Sequence, residues 1–453
     1  MSLTRGVLLG AVLCCFATHL CAQEPVYVER FRRRGEATSR YETWRGRARL
    51  PEVDLSLDKP AEGVEEEEPL FLENVAKWMR VHGGIGVQEK YTSNVFLQPG
   101  GVIRNGSTPS DFVTMISPSV RLELPSKKMP IKVDYFADII RTGHYENFNA
   151  DEHHIAAAGE LKLAPRFSLA VSNDFARMGV EPRNPDANLT YYNTNTFSGS
   201  GIYRFGKRGS VEVGWRHALS RFDLLAYRTS EYDIDTLFIN GYYALQPRFG
   251  LLAKYHHEWV DNKRFIVDDE RDRIAGGVRW DITSRLNGTA MLGYEVMKFT
   301  SDCNKGTLYA HAELVYDWAK NLRLGLYLDR SLRETTLIAE NKAYGDGFTT
   351  TQLTLNAIYK LTRTVSITQG FFVIVDQYST PPYAVQQFLL QNSFDSRARR
   401  DDLFGTTLGL QWQPTRYMRF GATYEHQENT SNIRSPHVDF EESSFLLNAS
   451  LGF

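Results

Sequence analysis

The sequence predicts an all-β chain, a transmembrane antiparallel up-and-down β-barrel of about 18 strands, behind a flexible N-terminal periplasmic segment. Three observations predict it. Alternating apolar and polar stretches of roughly ten or more residues repeat from Met79 to Phe453. Tight turns and long polar loops follow one another in strict alternation over that span. The chain ends inside such a stretch, with Phe445, Leu447, Ala449, Leu451 and Phe453 on one face and Ser444, Asn448, Ser450 and Gly452 on the other. A period of two with one apolar face is a β-strand.

Residues 1–22 read as a secretory signal peptide. Arg5 supplies the positive n-region, Val7 to Ala17 the short apolar core, and Ala22 a small residue before the expected cleavage point. The apolar stretch is too short for a spanning helix, which needs roughly 20 residues. Leu20 is too bulky for the position before an acylated Cys21. Of the four cysteines (Cys14, Cys15, Cys21 and Cys303) only Cys303 survives cleavage, so no internal disulfide is expected.

Residues 23–78 are expected to form a flexible periplasmic segment. Basic residues cluster from Arg30 to Arg49, an acidic run follows from Glu65 to Glu68, and few apolar residues accompany them. Leu70, Val75 and Trp78 have the spacing of a short helix. A linker, a tether and a partial plug all remain open for this segment.

From residue 79 to 453 the barrel pattern takes over. The tight connections include Pro125-Ser126-Lys127-Lys128, Gly206-Lys207-Arg208-Gly209, Gln246-Pro247-Arg248, Thr283-Ser284-Arg285, Ala319-Lys320-Asn321, Thr362-Arg363-Thr364 and Gln413-Pro414-Thr415. The long ones include 98–110, 179–189, 335–347 and 378–400. Short periplasmic turns and long outer loops are the barrel arrangement, and about eight turns plus a strand at each end give an even count near 18. Phe167, Phe205, Phe249, Trp280, Trp318 and Trp412 all lie beside a tight turn, as an interfacial girdle requires. Closing strands of bacterial outer-membrane barrels end on an aromatic, so Phe453 is the expected assembly signal, read by the barrel-assembly machinery.

Composition agrees with this class. Aromatics make up 12% of the chain, and the mean hydropathy of −0.36 is far too low for a helical membrane protein. It suits a barrel, where each lipid-facing residue alternates with a polar one. A formal net charge of −2 gives no footprint for a nucleic-acid partner. The expected contacts are outer-membrane lipid and the assembly machinery.

Alternation also sorts the two faces. Leu322, Leu324, Leu326 and Leu328 oppose Arg323, Gly325, Tyr327 and Asp329; Ile274, Val278 and Trp280 oppose Arg273, Arg279 and Asp281. The expected lumen therefore carries both signs of charge, with Glu295, Glu313, Asp329, Arg279 and Arg323 among them, and no ring of one sign. Tyr242, Tyr309 and Tyr327 share that face and can stack on sugar rings, or simply fill space.

The chain resembles the outer-membrane β-barrel porin family often found beside exopolysaccharide and capsule loci. The likeness runs from about Gly84 to Phe453. It is carried by Tyr91-Thr92-Ser93-Asn94-Val95-Phe96, by Ile116-Ser117-Pro118 through Leu122-Glu123-Leu124-Pro125, and by Arg400-Asp401-Asp402-Leu403. The family usually has an acidic pair where this chain has Thr92 and Ser93. The resemblance implies a passive outer-membrane channel, with polysaccharide export, and periplasmic export components as partners, as one assignment of relatives.

Other chemistry finds little support. Gly201-Ile202-Tyr203-Arg204-Phe205-Gly206-Lys207-Arg208 nears a phosphate-binding loop, but Arg208 replaces the required Ser or Thr and no helix follows. His153-His154 and His256-His257 cannot chelate as neighbours if they sit in strands; His256 is expected in the lumen and His257 on the lipid-side rim. Asp151, Glu152 and His153 are the one metal-like group of an outer loop. His217 and Ser220 face opposite sides of a strand and show no orienting partner in the sequence. No cofactor, metal or catalytic residue is expected. An outer-membrane enzyme or a surface-loop adhesin is the alternative.

Overall fold

The computed structural model describes residues 79–95, 109–126, 128–180, 189–206, 208–223, 231–262, 269–281, 283, 285–299, 304–334, 347–378, 398–432 and 439–452. The signal peptide, the segment 23–78 with its expected helix, most of each long loop, and Phe453 lie outside the described residues.

The described residues form an 18-stranded antiparallel sheet that closes on itself. Its strands are β1 (Arg80–Thr92), β2 (Asp111–Leu124), β3 (Ile131–Thr142), β4 (Ala150–Ala164), β5 (Phe167–Val180) and β6 (Thr190–Phe205). Then come β7 (Gly209–Phe222), β8 (Tyr232–Gln246), β9 (Phe249–Asn262), β10 (Asp269–Asp281), β11 (Leu286–Phe299) and β12 (Lys305–Ala319). The last are β13 (Leu322–Glu334), β14 (Gly347–Lys360), β15 (Val365–Tyr378), β16 (Arg400–Trp412), β17 (Met418–Ser431) and β18 (Phe440–Gly452). Each pairs with its sequence neighbours, and β18 returns to β1 with Ile85 opposite Leu451 and Tyr91 opposite Phe445. Closure gives every strand a neighbour on each side, which a hydrocarbon environment demands of a sheet.

The tight turns form for reasons visible in their residues. Thr283 Oγ1 accepts from the backbone N–H groups of Arg285 and Leu286 at 3.1 and 2.9 Å. Thr362 does the same for Thr364 and Val365, Thr415 for Tyr417 and Met418, and Ser126 for Lys128 and Met129. A hydroxyl closing the turn two and three residues ahead is the usual work of Ser and Thr in such positions. Gly206 adopts φ of 73°, a backbone conformation with a steric cost for any residue bearing a Cβ. The ladder shifts register beside three of these turns, at Lys162/Ala164, Ala244/Gln246 and Asp317/Ala319.

The outer face is an apolar belt. Ile274, Leu292 and Leu308 lie on three successive strands and are 63%, 64% and 56% exposed. Trp318 and Trp412 stand outward beside the tight turns, and Tyr91 and Tyr294 lie nearer the other end. Toward the tight turns the alternate residues of these strands, such as Arg279 on β10 and Glu313 on β12, point the other way, toward the lumen.

Close backbone packing pins part of the wall. A Cβ on Gly293 would sit 2.1 Å from the Ile274 carbonyl oxygen and 2.6 Å from Ala275 Cα. Gly293→Ala is therefore expected to destabilise the barrel by about 1–3 kcal/mol, the usual cost of forcing atoms into a packed site. Urea titration of the refolded protein in vesicles, read by the heat-modifiable gel shift, measures this. An unchanged midpoint would show that the strands part freely there.

Candidate functional site: the barrel lumen

The inner wall is unevenly covered. Toward the end with the long connections its side chains are buried: Lys90 and Thr92 on β1, Arg271 and Arg273 on β10, Glu295 and Met297 on β11. Toward the tight turns the same strands open, and Arg279 on β10 is exposed. The lumen is thus wide at the short-turn end and occupied at the other.

Charges on this wall meet partners on adjacent strands or, for Arg204 on β6 and Glu160 on β4, across one intervening strand. Arg121 reaches Asp134 at 2.6 Å, Arg204 reaches Glu160 at 3.2 Å, and Arg323 binds Asp317 through two nitrogens at 2.7 and 3.2 Å. Deeper pairs join Arg271 to Glu258 at 3.1 Å and Arg273 to Glu295 at 2.6 Å. At the β1–β18 seam Lys90 Nζ lies 2.8 Å from Glu442 Oε1, which also accepts from the Thr92 hydroxyl at 2.7 Å. Opposite signs so close cancel most of their field within a Debye length of about 8 Å at physiological salt.

The eight residues singled out for the lumen all carry side chains on the inner face, yet their surroundings differ. Tyr242 is half-buried on β8, its ring lying over Gly250, where a Cβ would come within 2.4 Å of Tyr242 Cε2. Arg279 is exposed, and Arg323 is held by Asp317. Glu313 and Asp329 flank His311, whose Nε2 and Nδ1 lie 3.6 and 3.3 Å away. Glu295 is fully buried, and Tyr309 and Tyr327 are 5% and 9% exposed.

Two of the three tyrosines are covered, contrary to the stacking role expected of them. Tyr309 and Tyr327 do not offer open ring faces on one stretch of wall. The Arg273 guanidinium sits 4.6 Å above the Tyr309 ring, His311 meets Tyr327 edge-on at 5.5 Å, and Tyr327 stands opposite Glu313 in the ladder. A buried cation over an aromatic face is a favourable packing that uses the ring up.

Two histidine arrangements also differ from expectation. Asp151, Glu152 and His153 cannot converge, because they occupy strand β4 and Glu152 points opposite to the other two. Alternation instead gathers Asp138, Glu152 and His154 on the inner face, with one ligand atom of each within 4.8 Å of the others. Part of both carboxylates is engaged: Asp138 Oδ1 accepts from Ser117 at 2.6 Å and Glu152 Oε1 from the Gly179 N–H at 2.7 Å. His154 stacks on Phe136 at 4.4 Å.

His217 does have an orienting carboxylate, Asp235 at 3.0 Å on the neighbouring strand, which sequence reading overlooked. Asp235 also accepts from the Trp215 indole. Ser220, however, is buried on the opposite face, so this pair has no nucleophile from that position. His256 lies inside against Asn240, and His257 lies outside, bonded to Asp272 at 2.6 Å.

At the long-connection end, Asp111 accepts from the His144 N–H at 3.1 Å, and its Oδ1 lies 3.0 Å from His144 Nδ1. Burial, and secondarily the Asp111 carboxylate, push the neighbouring Tyr145 hydroxyl above the usual phenol range.

The family described as "Putative beta-barrel porin 2" matches residues 78–453. No curated protein matches the sequence. Solved structures of similar architecture include the outer membrane protein OpdK from Pseudomonas aeruginosa, 10% identical, with 83% of this chain and 99% of that chain covered and a TM-score of 0.49. OccAB3 from Acinetobacter baumannii is 10% identical over 82% of this chain and 99% of that chain, at a TM-score of 0.46. The family match spans every strand of the closed barrel, and the chain belongs to this family of outer-membrane, porin-like channel barrels.

Proposed function

We propose that this porin barrel is a passive conduit for an exopolysaccharide or capsule chain, working with periplasmic export components and without a cofactor. The supporting observation is the pairing of charge along the inner wall, from Arg121–Asp134 to Arg323–Asp317. Such a wall presents many donors and acceptors but little net field, so it suits a hydroxyl-rich chain better than a small ion of one sign. Tyr242, partly open above Gly250, is the ring best placed to stack on a sugar. The resemblance to barrels encoded beside polysaccharide loci points the same way.

Planar-bilayer recording tests the reading. Wild-type channels are expected to conduct with weak ion selectivity and to show current block by oligosaccharides at millimolar concentration. Tyr242→Ala is expected to keep the ionic conductance and weaken the block. Wild-type channels indifferent to oligosaccharides would remove the polysaccharide reading and leave a general porin.

A further inference from the structure

The wall of the barrel is not uniform around its circumference. Between β12 and β13 the ladder ends at Ala310 opposite Arg330. Yet β12 continues to pair with β11 as far as Lys305 opposite Met297, and β13 continues with β14 to Glu334 opposite Gly347. The end of the β13–β14 hairpin has therefore left its place beside β12.

Its new position is inside. The Leu332 N–H donates to Glu295 Oε2 at 2.8 Å, although Glu295 belongs to β11, two strands away. The Leu332 side chain packs on Met297 of β11, and both are essentially without exposure. Arg330 Nη2 lies 3.4 Å from Thr307 Oγ1 of β12. Leu332 and Arg330 belong to the outward face of β13, whereas Glu295, Met297 and Thr307 belong to the inner face of the wall. An outward face resting on an inward one means that this hairpin end folds into the lumen.

Burial shows the same thing. Ser331 and Leu332 are consecutive and both buried, as are Phe348, Thr349 and Thr350 on β14. For Leu332 the burial falls on the outward face, where the hairpin end lies as a second layer against Met297 of the wall. Behind it, Lys305 Nζ on β12 reaches the Gln377 carbonyl of β15 at 3.4 Å, across the two displaced strands.

We infer that the outer ends of β13 and β14 form an inward-folded gate that occludes the long-loop half of the channel, with Glu295 as its positioning residue. Glu295 joins the fixed wall to the gate: one oxygen takes Arg273 at 2.6 Å and the other takes the Leu332 N–H. The open state completes the β12–β13 ladder, pairing the 306–309 edge with 331–334 in the register set by Ala310 opposite Arg330 and replacing the hydrogen bonds lost inside. Two discrete packings of one element are what a two-state switch requires. The inference concerns ionic conductance and does not depend on the identity of the cargo.

A disulfide tests it. In a Cys303→Ser background, Met297→Cys with Leu332→Cys joins gate and wall where the two side chains touch. The oxidised channel is expected to lose its high-conductance level, and dithiothreitol is expected to restore it. Glu295→Ala is expected to raise the fraction of time spent at the high level. The gate is overturned if oxidised and reduced channels share one conductance and one pattern of transitions. Failure of the cysteines to cross-link in folded, heat-modifiable protein overturns it equally, by denying the contact. The cysteine pair leaves the ion pairs intact, so the test stands even if Glu295→Ala does not fold.

Discussion

Leu292→Arg is expected to destabilise the barrel by about 2–4 kcal/mol, the cost of a cation at the bilayer midplane. Leu292 lies near the middle of β11 on the outer face and is 64% exposed. Its lateral neighbours are Gly276 and Ala310, which are too small to shield a guanidinium from lipid. Thr289→Arg, on the inner face of the same strand, meets water and is expected to shift stability by about 0.5 kcal/mol or less, as surface changes do. Urea titration in vesicles separates the two. Equal costs would mean that the faces have been assigned the wrong way round.

Lys90→Met is expected to cost about 3–5 kcal/mol, because removing one partner of a buried ion pair strands the other charge. Lys90 and Glu442 have side chains 3% and 5% exposed, and they bind the first strand to the last. Thr92 and the Gln427 amide donate to the same carboxylate, so the seam depends on one acidic group. Adding Glu442→Gln removes the stranded charge and is expected to recover much of the loss. The same titration measures both variants. A single-variant cost below about 1 kcal/mol would assign the seam's strength to its backbone ladder instead.

These two cases differ in how far the sequence alone leads to them. Leu292 follows from counting: alternation sends it outward, and strand length puts it mid-membrane. The Lys90–Glu442 pair takes one more step, since both residues face inward near the same end and closure sets β1 against β18. Asp235 as a partner for His217 is a register fact, which the length of the connection between β7 and β8 leaves undetermined within a residue or two. A shift of one residue turns the carboxylate to the other face.

Alternation, turn chemistry and strand length determined the architecture: a closed sheet, apolar outside, polar inside, with Ser and Thr shaping the tight turns. These are local properties, and the sequence by itself carries them. The cover over Tyr309 and Tyr327, the convergence of Asp138, Glu152 and His154, and the inward fold of β13 and β14 were decided only by the tertiary structure. Each depends on which strands stand beside or across from one another at a given height. Alternation says that Leu332 belongs to the outward face of β13. That this face rests on Met297 inside the lumen follows from where the ladder stops, at Ala310 opposite Arg330. A residue's face is a property of its strand, but its exposure is a property of whatever is packed against that face.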